Sequence, residues 1–243
     1  MSATRLNARA LVRVAPRDGA DENVRDFLQG LVTNDVSGDL PIYAALLSAQ
    51  GKAMFDFLVW DGGDGALLLD CEAAIAPDLV KRLTLYRLRR KIDIDIYTAF
   101  GVHWSADPVE GASKDPRLDE LGYRWLDSPD GESADAAWTA HRLSLGVTEG
   151  VAELGDILWL ETNAVELNGV SFEKGCYVGQ ENTARMNWRQ KVNRRLVVVA
   201  LAQSDEKRQK IAYPDAGVAV DHLRVADLDP ATLPDWQRSG LLG

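Results

Sequence analysis

Apolar residues alternate between two spacings along the first hundred positions. The alternation in residues 10–14 predicts a strand, whereas apolar positions at helical spacing within residues 21–32 predict an amphipathic helix. Strand-like runs at 42–47 and 54–60 are joined through 48–52, and a glycine-rich turn precedes a further run. These runs predict a β-meander beside a helix.

The next elements complete a mixed architecture. Apolar positions in steps of three and four predict a helix over 74–90, and the alternation that follows predicts a strand at 92–96. Helices and strands that share one sheet indicate an α+β fold. We expect an Asp-, Pro-, Gly- and Ser-rich connection at 106–135 with one strand around 123–126, followed by a helix over 133–145.

The second half of the chain is less regular. Residues 146–175 read as a loop, and a helix is expected to begin near Val178. From Arg194 the chain returns to β, with strands predicted at 196–201, 217–220 and 222–226.

Composition then restricts the class of function. The chain has 243 residues, a formal net charge of −10 and a pI of about 4.8, which excludes a generally basic nucleic-acid binder. No apolar run is long enough to span a membrane. Two cysteines are too few for a disulfide scaffold, so we expect a mature protein without a secretory signal in a reducing compartment.

The basic residues are unevenly distributed. Segments 81–91 and 185–195 hold 11 of the 27 basic residues and no acid. Two basic segments on an acidic protein predict a site for an anionic ligand or partner. The alternative is that they are solvated helix ends, where cations complement the helix dipole.

One motif carries candidate chemistry, the segment 174–181 with the sequence Lys-Gly-Cys-Tyr-Val-Gly-Gln-Glu. Gly175 and Gly179 permit a tight backbone around Cys176, and Lys174 together with the N-terminus of a following helix would lower the pKa of the thiol. Such a thiol can act as nucleophile, redox sensor or metal ligand. The alternative is an inert cysteine in a glycine turn.

The motif resembles the signature of the YgfZ-type folate-binding proteins, which are iron–sulfur cluster assembly factors related to the aminomethyltransferase (T-protein) of the glycine cleavage system. The resemblance covers roughly residues 9–200. Further matching stretches occur in the same order along the chain, at 27–36, 46–52 with 55–57, 85–91 and 168–172.

The resemblance implies a T-protein-like fold of two interlocked α+β parts around a central channel, with a short β-barrel-like C-terminal part. We therefore expect a folate-binding region at 1–192 and the barrel-like part at 193–243. The implied cofactor is tetrahydrofolate, or a reduced folate derivative, in the channel. The implied role is maturation or repair of [4Fe–4S] enzymes, including radical-type enzymes of tRNA modification.

Site residues follow from the motif, the basic segments and the resemblance. Cys176, Lys174 and Asp56 are the candidate catalytic groups. Arg and Lys side chains suit the carboxylates of a folate glutamate tail. The candidate folate-binding residues are Asn34, Tyr86, Arg87, Arg89 and Arg185, with a surface or core role as the alternative for Asn34 and Tyr86. The loop residues are Gly175, Tyr177, Gly179, Gln180 and Glu181, where Gln180 and Glu181 hold the loop or meet a partner.

Three departures from the related family weaken a transferase role. A single Asp56 follows Phe55 where the aminomethyltransferases have an acidic pair, and Ser144 stands where they place a pterin-holding Glu. Only 48 residues follow Arg195, which is short for the family's barrel and predicts an open or degenerate one.

Metal sites are not predicted. A cluster usually needs about four thiolates, and Cys71 and Cys176 lie 105 positions apart, so Cys176 could at most share a ligand at an interface. The three histidines lack the spacing of a zinc site.

The leading hypothesis is a folate-binding accessory factor that works with iron–sulfur assembly proteins and [4Fe–4S] client enzymes through Cys176. The alternatives are a folate-dependent aminomethyl or one-carbon transferase that uses Asp56, and a pure interaction module with a vestigial channel. We expect a monomer that binds neither nucleic acid nor membrane, in the bacterial cytosol, or in the mitochondrial matrix if the source is eukaryotic.

Overall fold

A five-stranded antiparallel sheet, in the order β2-β3-β4-β1-β5, forms the first half of the molecule in the computed structural model, which describes residues 3–189 and 192–240. Two three-stranded antiparallel sheets follow, in the orders β6-β8-β7 and β10-β11-β9. The strands are β1 (Arg9–Pro16), β2 (Ile42–Leu47), β3 (Ala53–Asp61), β4 (Leu67–Glu72), β5 (Ile92–Tyr97), β6 (Gly101–Ser105), β7 (Ser113–Lys114), β8 (Tyr123–Asp127), β9 (Arg194–Ala200), β10 (Gln209–Tyr213) and β11 (Val218–Arg224).

In the described part of the chain, six α-helices connect and cover these sheets. They are α1 (Val24–Gln29), α2 (Ala76–Arg87), α3 (Asp135–Ser144), α4 (Val151–Leu154), α5 (Gln180–Arg189) and α6 (Asp235–Ser239). Short 3₁₀ turns occur between them, including Trp159–Thr162 in the long connection after α4.

The five-stranded sheet separates two hydrophobic cores, because successive side chains of a strand point to opposite faces. On the outer face, residues such as Val12, Phe57 and Leu69 pack under α1 and α2. On the inner face, Leu11 and Leu58 pack against the rest of the chain. The three-stranded sheets and the segments that connect them contribute Trp104, Trp138, Trp159, Leu196 and Val220 to this second core.

The α+β class expected from the sequence agrees with this arrangement. The helix predicted over 74–90 is α2, which is shorter at both ends, and the helix predicted over 133–145 is α3. The helix predicted within 21–32 ends at Gln29, because Leu31 and Val32 close the last turn onto Leu28 and the chain then bends toward β2.

Several local predictions were wrong. Strands predicted at 217–220 and 222–226 form one strand, β11, because it pairs along its length with β9. Its other neighbour β10 was missed, since Gln209–Tyr213 lacks clear alternation of apolar and polar residues. The strand predicted at 123–126 is β8, but the connection 106–135 also contains the short strand β7, which was not predicted, and the predicted loop 146–175 contains α4. The boundary between 192 and 193 stays a prediction.

Thr33 joins three separated parts of the chain. Its hydroxyl donates to the carbonyl of Gly169 at 2.7 Å and accepts from the backbone N–H of Ala45 at 2.9 Å. Its carbonyl accepts from the N–H of Ser171 at 3.0 Å. The end of α1, strand β2 and the segment leading to the cysteine motif therefore meet at one buried side chain.

Replacement of Thr33 by valine tests this junction. The variant keeps the shape but leaves the buried N–H of Ala45 without its partner, and the carbonyl of Gly169 keeps only the indole N–H of Trp159. We therefore expect a loss of about 1–3 kcal/mol in the free energy of unfolding. Thr84→Val is the matched control, because the Thr84 hydroxyl donates to Val80 on the exposed side of α2. Urea unfolding of both variants is the measurement, and an equal loss in the two would contradict the role assigned to Thr33.

Candidate functional site

Lys174 anchors the start of the cysteine motif inside the protein. Its side chain is 8% exposed, and its ammonium donates to the carbonyl oxygens of Gln29, at 2.7 Å, and Val32. The last carbonyls of a helix have no partner within the helix and carry partial negative charge. Lys174 therefore caps α1 from a position more than 140 residues away in the sequence.

Tyr177 is the second anchor. It is 7% exposed, and its ring centroid lies 5.1 Å from the Lys174 ammonium, within the range of a cation–π contact. The two residues between the anchors, Gly175 and Cys176, are exposed. The loop thus holds its thiol toward solvent between two buried side chains.

The end of the loop rests on the turn between β2 and β3. Gly179 has φ +83°, and a Cβ atom there would lie 2.5 Å from the carbonyl oxygen of Ser48. Asn182 donates from its side-chain amide to the carbonyl of Gln50 at 2.7 Å. The matching stretches 46–52 and 174–182 are therefore in direct contact, and Gly179 is required by close backbone approach as well as by its positive φ.

Helix α5 begins at Gln180, later than the start near Val178 that the sequence predicted. Glu181 accepts from the Arg185 guanidinium at 2.9 Å in an exposed pair one helical turn apart, which is worth little in water. Gln180 is half-buried at the first position of the helix. Residues 190 and 191 of the second basic segment lie outside the described residues.

The sequence predicted that Lys174 lowers the pKa of the Cys176 thiol, but the contacts of Lys174 give it a different role. Burial lowers the pKa of Lys174 to about 8, and the ammonium is occupied by two carbonyl groups. Among the hydrogen bonds of residues 3–189 and 192–240, none joins Lys174 to Cys176. The geometry supports an anchoring role for Lys174.

A buried ion cluster occupies the interface between the inner face of the sheet and the rest of the chain. Three guanidinium groups and three carboxylates alternate there. The ion pairs are Arg9–Asp70 at 2.6 Å, Arg9–Glu149 at 3.5 Å, Arg124–Asp70 at 2.9 Å, Arg117–Asp115 at 2.7 Å, Arg117–Glu149 at 2.6 Å, Arg124–Asp115 at 3.0 Å and Arg124–Glu149 at 3.3 Å.

The attraction between opposite charges in the cluster offsets the cost of burying them. Burial opposes ionisation of Glu149, but Arg9, Arg117 and Arg124 outweigh it and hold the pKa of that carboxyl well below its usual range. Burial likewise opposes the charge of Arg117, and Asp115 with Glu149 raises its pKa above the ordinary value. Each of the six groups has at least one oppositely charged partner, as buried charges require.

Asp56 is an additional carboxyl beside this cluster. It accepts from the backbone N–H of Gly150 at 3.2 Å and from the Tyr43 hydroxyl at 3.4 Å. No ion pair to Asp56 occurs within the described part of the chain. Burial raises the pKa of Asp56 to about 6, against the opposing effect of Arg9.

The central cavity is small. It has a volume of about 160 Å³ and is lined by Arg9, Arg142, Glu149 and Tyr213, among others. Pockets that take drug-sized ligands usually span about 300–1,000 Å³. Arg9 and Glu149 belong to the ion cluster, and Arg142 pairs with Glu153 at 2.6 Å. Glu72 and Asp135 also line this cavity, and neither forms an ion pair within the described residues.

The predicted folate-binding residues do not meet in one cavity. Tyr86, Arg87 and Arg89 lie on or just after α2, on the side of the sheet away from the central cavity, and Arg87 donates to the carbonyl of Ile92 at 3.0 Å. Arg185 is on the exposed side of α5. The amide of Asn34 donates to two carbonyls, those of Tyr43 and Asn168.

Ser144, at the position of the pterin-holding Glu, is exposed at the end of α3 and donates to the carbonyl of His141. Arg117, Arg124 and Glu149 were not predicted from the sequence, because isolated charged residues in loops and strands are usually exposed to solvent. A weak signal existed at Arg124, which stands between two aromatic residues of β8.

Within residues 3–189 and 192–240, no group of three or more His, Cys, Asp or Glu side chains is arranged to hold a metal ion. The described helices include none that is long and apolar enough to cross a membrane.

Comparison with known proteins gives relatives and a fold. No family model matches the chain. It is 33% identical over 240 residues to the mouse "Iron-sulfur cluster assembly factor IBA57, mitochondrial", covering 81% of this chain and 65% of the relative. The human protein of the same name is 32% identical over 237 residues, covering 80% and 65%, and the Mycosarcoma maydis homolog is 32% identical over 225 residues, covering 78% and 54%. The chain thus spans less than two thirds of the length of these relatives.

A solved structure matches over most of the chain. The glycine cleavage system aminomethyltransferase T from Bartonella henselae has a TM-score of 0.67 at 13% identity, covering 93% of this chain and 79% of that chain. The T-protein-like fold expected from the resemblance is confirmed. The sheets are open, and the C-terminal part is a three-stranded sheet with short 3₁₀ turns and α6.

The docking of the cysteine loop can be tested at Gly179. Gly179→Ala combines a positive φ, which costs about 1–2 kcal/mol, with a clash against the Ser48 carbonyl, which costs about 1–3 kcal/mol. Gly217→Ala is the control, because Gly217 has φ +66° and no atom within 4 Å of the added Cβ. We expect urea unfolding to show a loss about 2 kcal/mol larger at Gly179. Equal losses would show that the loop does not rest on the β2–β3 turn.

The raised pKa of Asp56 predicts how the free energy of unfolding depends on pH. Its pKa of about 6 in the folded protein exceeds the ordinary value of 3.8, so protonation of Asp56 favours the folded state. This contribution is complete below about pH 4 and is lost as the pH rises through 6. Asp56→Asn should therefore stabilise the protein at pH 7, by up to about 3 kcal/mol. Unfolding free energies measured from pH 4 to 7.5 should converge at the acidic end, and parallel curves would contradict the assignment.

Proposed function

The homologues of this chain are iron–sulfur cluster assembly factors, and from that premise we propose that the chain itself supports assembly or repair of [4Fe–4S] proteins through the exposed thiol of Cys176. The observation that carries the proposal is the construction of the cysteine loop. Lys174 and Tyr177 are buried on either side of an exposed Gly175-Cys176 pair. An inert cysteine would not need two buried anchors to keep it at the surface.

Cys176 is the thiol that can reach a partner. Burial raises the pKa of Cys71 to about 12, so that thiol stays protonated and enclosed by the outer-face core. Because a cluster usually takes about four thiolates, a single exposed cysteine supplies one ligand and the partner supplies the others. In that step the Cys176 thiol loses its proton to solvent and its sulfur binds iron.

The proposed partners are iron–sulfur assembly proteins and [4Fe–4S] client enzymes, including radical-type enzymes of tRNA modification. We place the protein as a monomer in a compartment that keeps thiols reduced, the bacterial cytosol or the mitochondrial matrix. The relatives named above carry the word mitochondrial in their names.

Tetrahydrofolate, the cofactor that the resemblance implied, has no step in this proposal. The central cavity of about 160 Å³ is below the usual volume of a ligand pocket, and Arg9, Arg142 and Glu149 in its lining already form ion pairs. The candidate binding residues Arg87, Arg89 and Arg185 lie on different surfaces from that cavity.

The transferase alternative rests on the fold shared with aminomethyltransferase T and on the raised pKa of Asp56. Asp56, however, does not line the central cavity, and its carboxylate is bound by Gly150 and Tyr43. A transferase would need the cavity to open before a substrate could reach this carboxyl.

The test replaces the chromosomal copy of the gene with Cys176→Ala and measures the activity of a [4Fe–4S] dehydratase in cells, with glycine-cleavage flux in parallel. We expect dehydratase activity at the level of the deletion strain and unchanged flux. Glu173→Ala is the matched control, because Glu173 is an exposed neighbour in the same segment. It should behave as wild type.

Unfolding curves of the purified variants establish that both are folded. Wild-type dehydratase activity in the Cys176→Ala strain would remove the thiol from the mechanism. Loss of glycine-cleavage flux on Asp56→Asn, with Cys176→Ala tolerated, would favour the transferase.

A further inference from the structure

Helix α2 ends in a tight turn with an unusual residue at its first central position. Leu88 has φ 50° and ψ −113°, and the N–H of Arg90 donates to the carbonyl of Arg87 at 3.0 Å. These angles and this hydrogen bond define a type II′ turn, in which the position of Leu88 is ordinarily filled by glycine. A leucine there is strained, because its Cβ crowds the backbone at positive φ.

The protein gains no internal packing in return. The side chain of Leu88 is 86% exposed, and that of Leu85, one helical turn earlier, is 62% exposed. A glycine would remove the strain without loss of a buried contact. Strain that the fold does not use indicates a function outside the fold.

Unpaired cations surround these two leucines. Lys81 is exposed and lies four residues before Leu85 on the same side of α2. Arg89 is exposed in the turn after the helix, directly next to Leu88. Neither cation forms an ion pair with any residue that the structure describes, whereas Arg90 pairs with Glu22 at 2.9 Å. We call Lys81, Leu85, Leu88 and Arg89 the α2-end patch. It borders an open depression of about 680 Å³.

The patch is basic on a chain whose net charge is −10. An acidic partner is repelled by most of this protein's surface and attracted to this part of it, so the charge fixes where and how the partner approaches. The exposed leucines then supply the apolar contact that charge alone does not.

We propose that the α2-end patch is a docking surface for an acidic protein that buries Leu88 in an apolar socket. The proposal rests on the proposed function, because the partner is taken to be one of the iron–sulfur proteins that the chain serves. The patch lies on the outer-face side of the sheet with α2, apart from the central cavity. A lipid surface fits less well, because anionic lipids repel a chain of this net charge and two leucines bury little area.

Leu88→Gly separates docking from folding. Glycine relieves the strained turn, so we expect the urea midpoint of the purified protein to be equal to or higher than that of wild type. In cells, [4Fe–4S] dehydratase activity should nevertheless fall at least fivefold. Arg89→Glu should give a similar fall and Arg89→Lys should not, because the effect depends on charge.

Ile96→Ala is the matched control. Ile96 is an exposed apolar residue of the edge strand β5, outside the patch, and its loss should leave dehydratase activity unchanged. Wild-type activity in Leu88→Gly would overturn the proposal, and so would a lower urea midpoint that accounts for the loss of activity. Sedimentation of the wild-type protein with vesicles containing phosphatidylserine, abolished by Leu88→Gly, would assign the patch to a membrane instead.

The Cys176→Ala strain distinguishes the two proposals. If Cys176→Ala is inactive and Leu88→Gly is active, the docking surface is wrong and the thiol role stands. If Cys176→Ala is active, the proposed function fails first.

Discussion

The buried ion cluster is the constraint on which the rest of the structure depends. Arg9 and Asp70 enter it from the five-stranded sheet, Arg124 from β8, and Asp115, Arg117 and Glu149 from loops. Removing one partner of a buried ion pair costs about 3–5 kcal/mol, since the other charge is left without compensation. Only one arrangement of the sheet against the later elements satisfies all six groups at once, so the cluster fixes how the two halves of the chain meet.

The position of the Cys176 thiol follows from that arrangement. Glu149 fixes the start of the connection after α3, and Gly150 next to it binds Asp56 of β3. The same connection returns to the sheet where Trp159 donates its N–H to the carbonyl of Gly51. Gly51 in turn packs against Gly179, and the cysteine loop rests there. A single path of contacts therefore runs from the interior charges to the surface cysteine.

The sequence predicted the parts of this structure that depend on local spacing. The meander, α2 and α3 follow from apolar periodicity, and the glycines of the motif were expected to shape the loop around Cys176. The features that were not predicted depend on residues that are far apart in the sequence. The partners of Lys174 lie at the end of α1, and an arginine such as Arg124 is indistinguishable from a surface arginine until its three acidic neighbours are placed. The surroundings of the basic segments could not be predicted for a related reason, because neighbours in sequence such as Arg87 and Arg89 differ in their contacts.

The resemblance implied both a T-protein-like fold and a folate-binding interior, and these are two separate questions. A T-protein-like fold offers an interior between its parts, and in this chain that interior is filled by paired charges and a cavity of about 160 Å³. The features that local stability does not explain are on the surface, namely a thiol held out between buried anchors and a leucine at a strained turn. Under the proposed function and the proposed docking surface, these two features are where the protein contacts its partners, so neither role requires the interior to open.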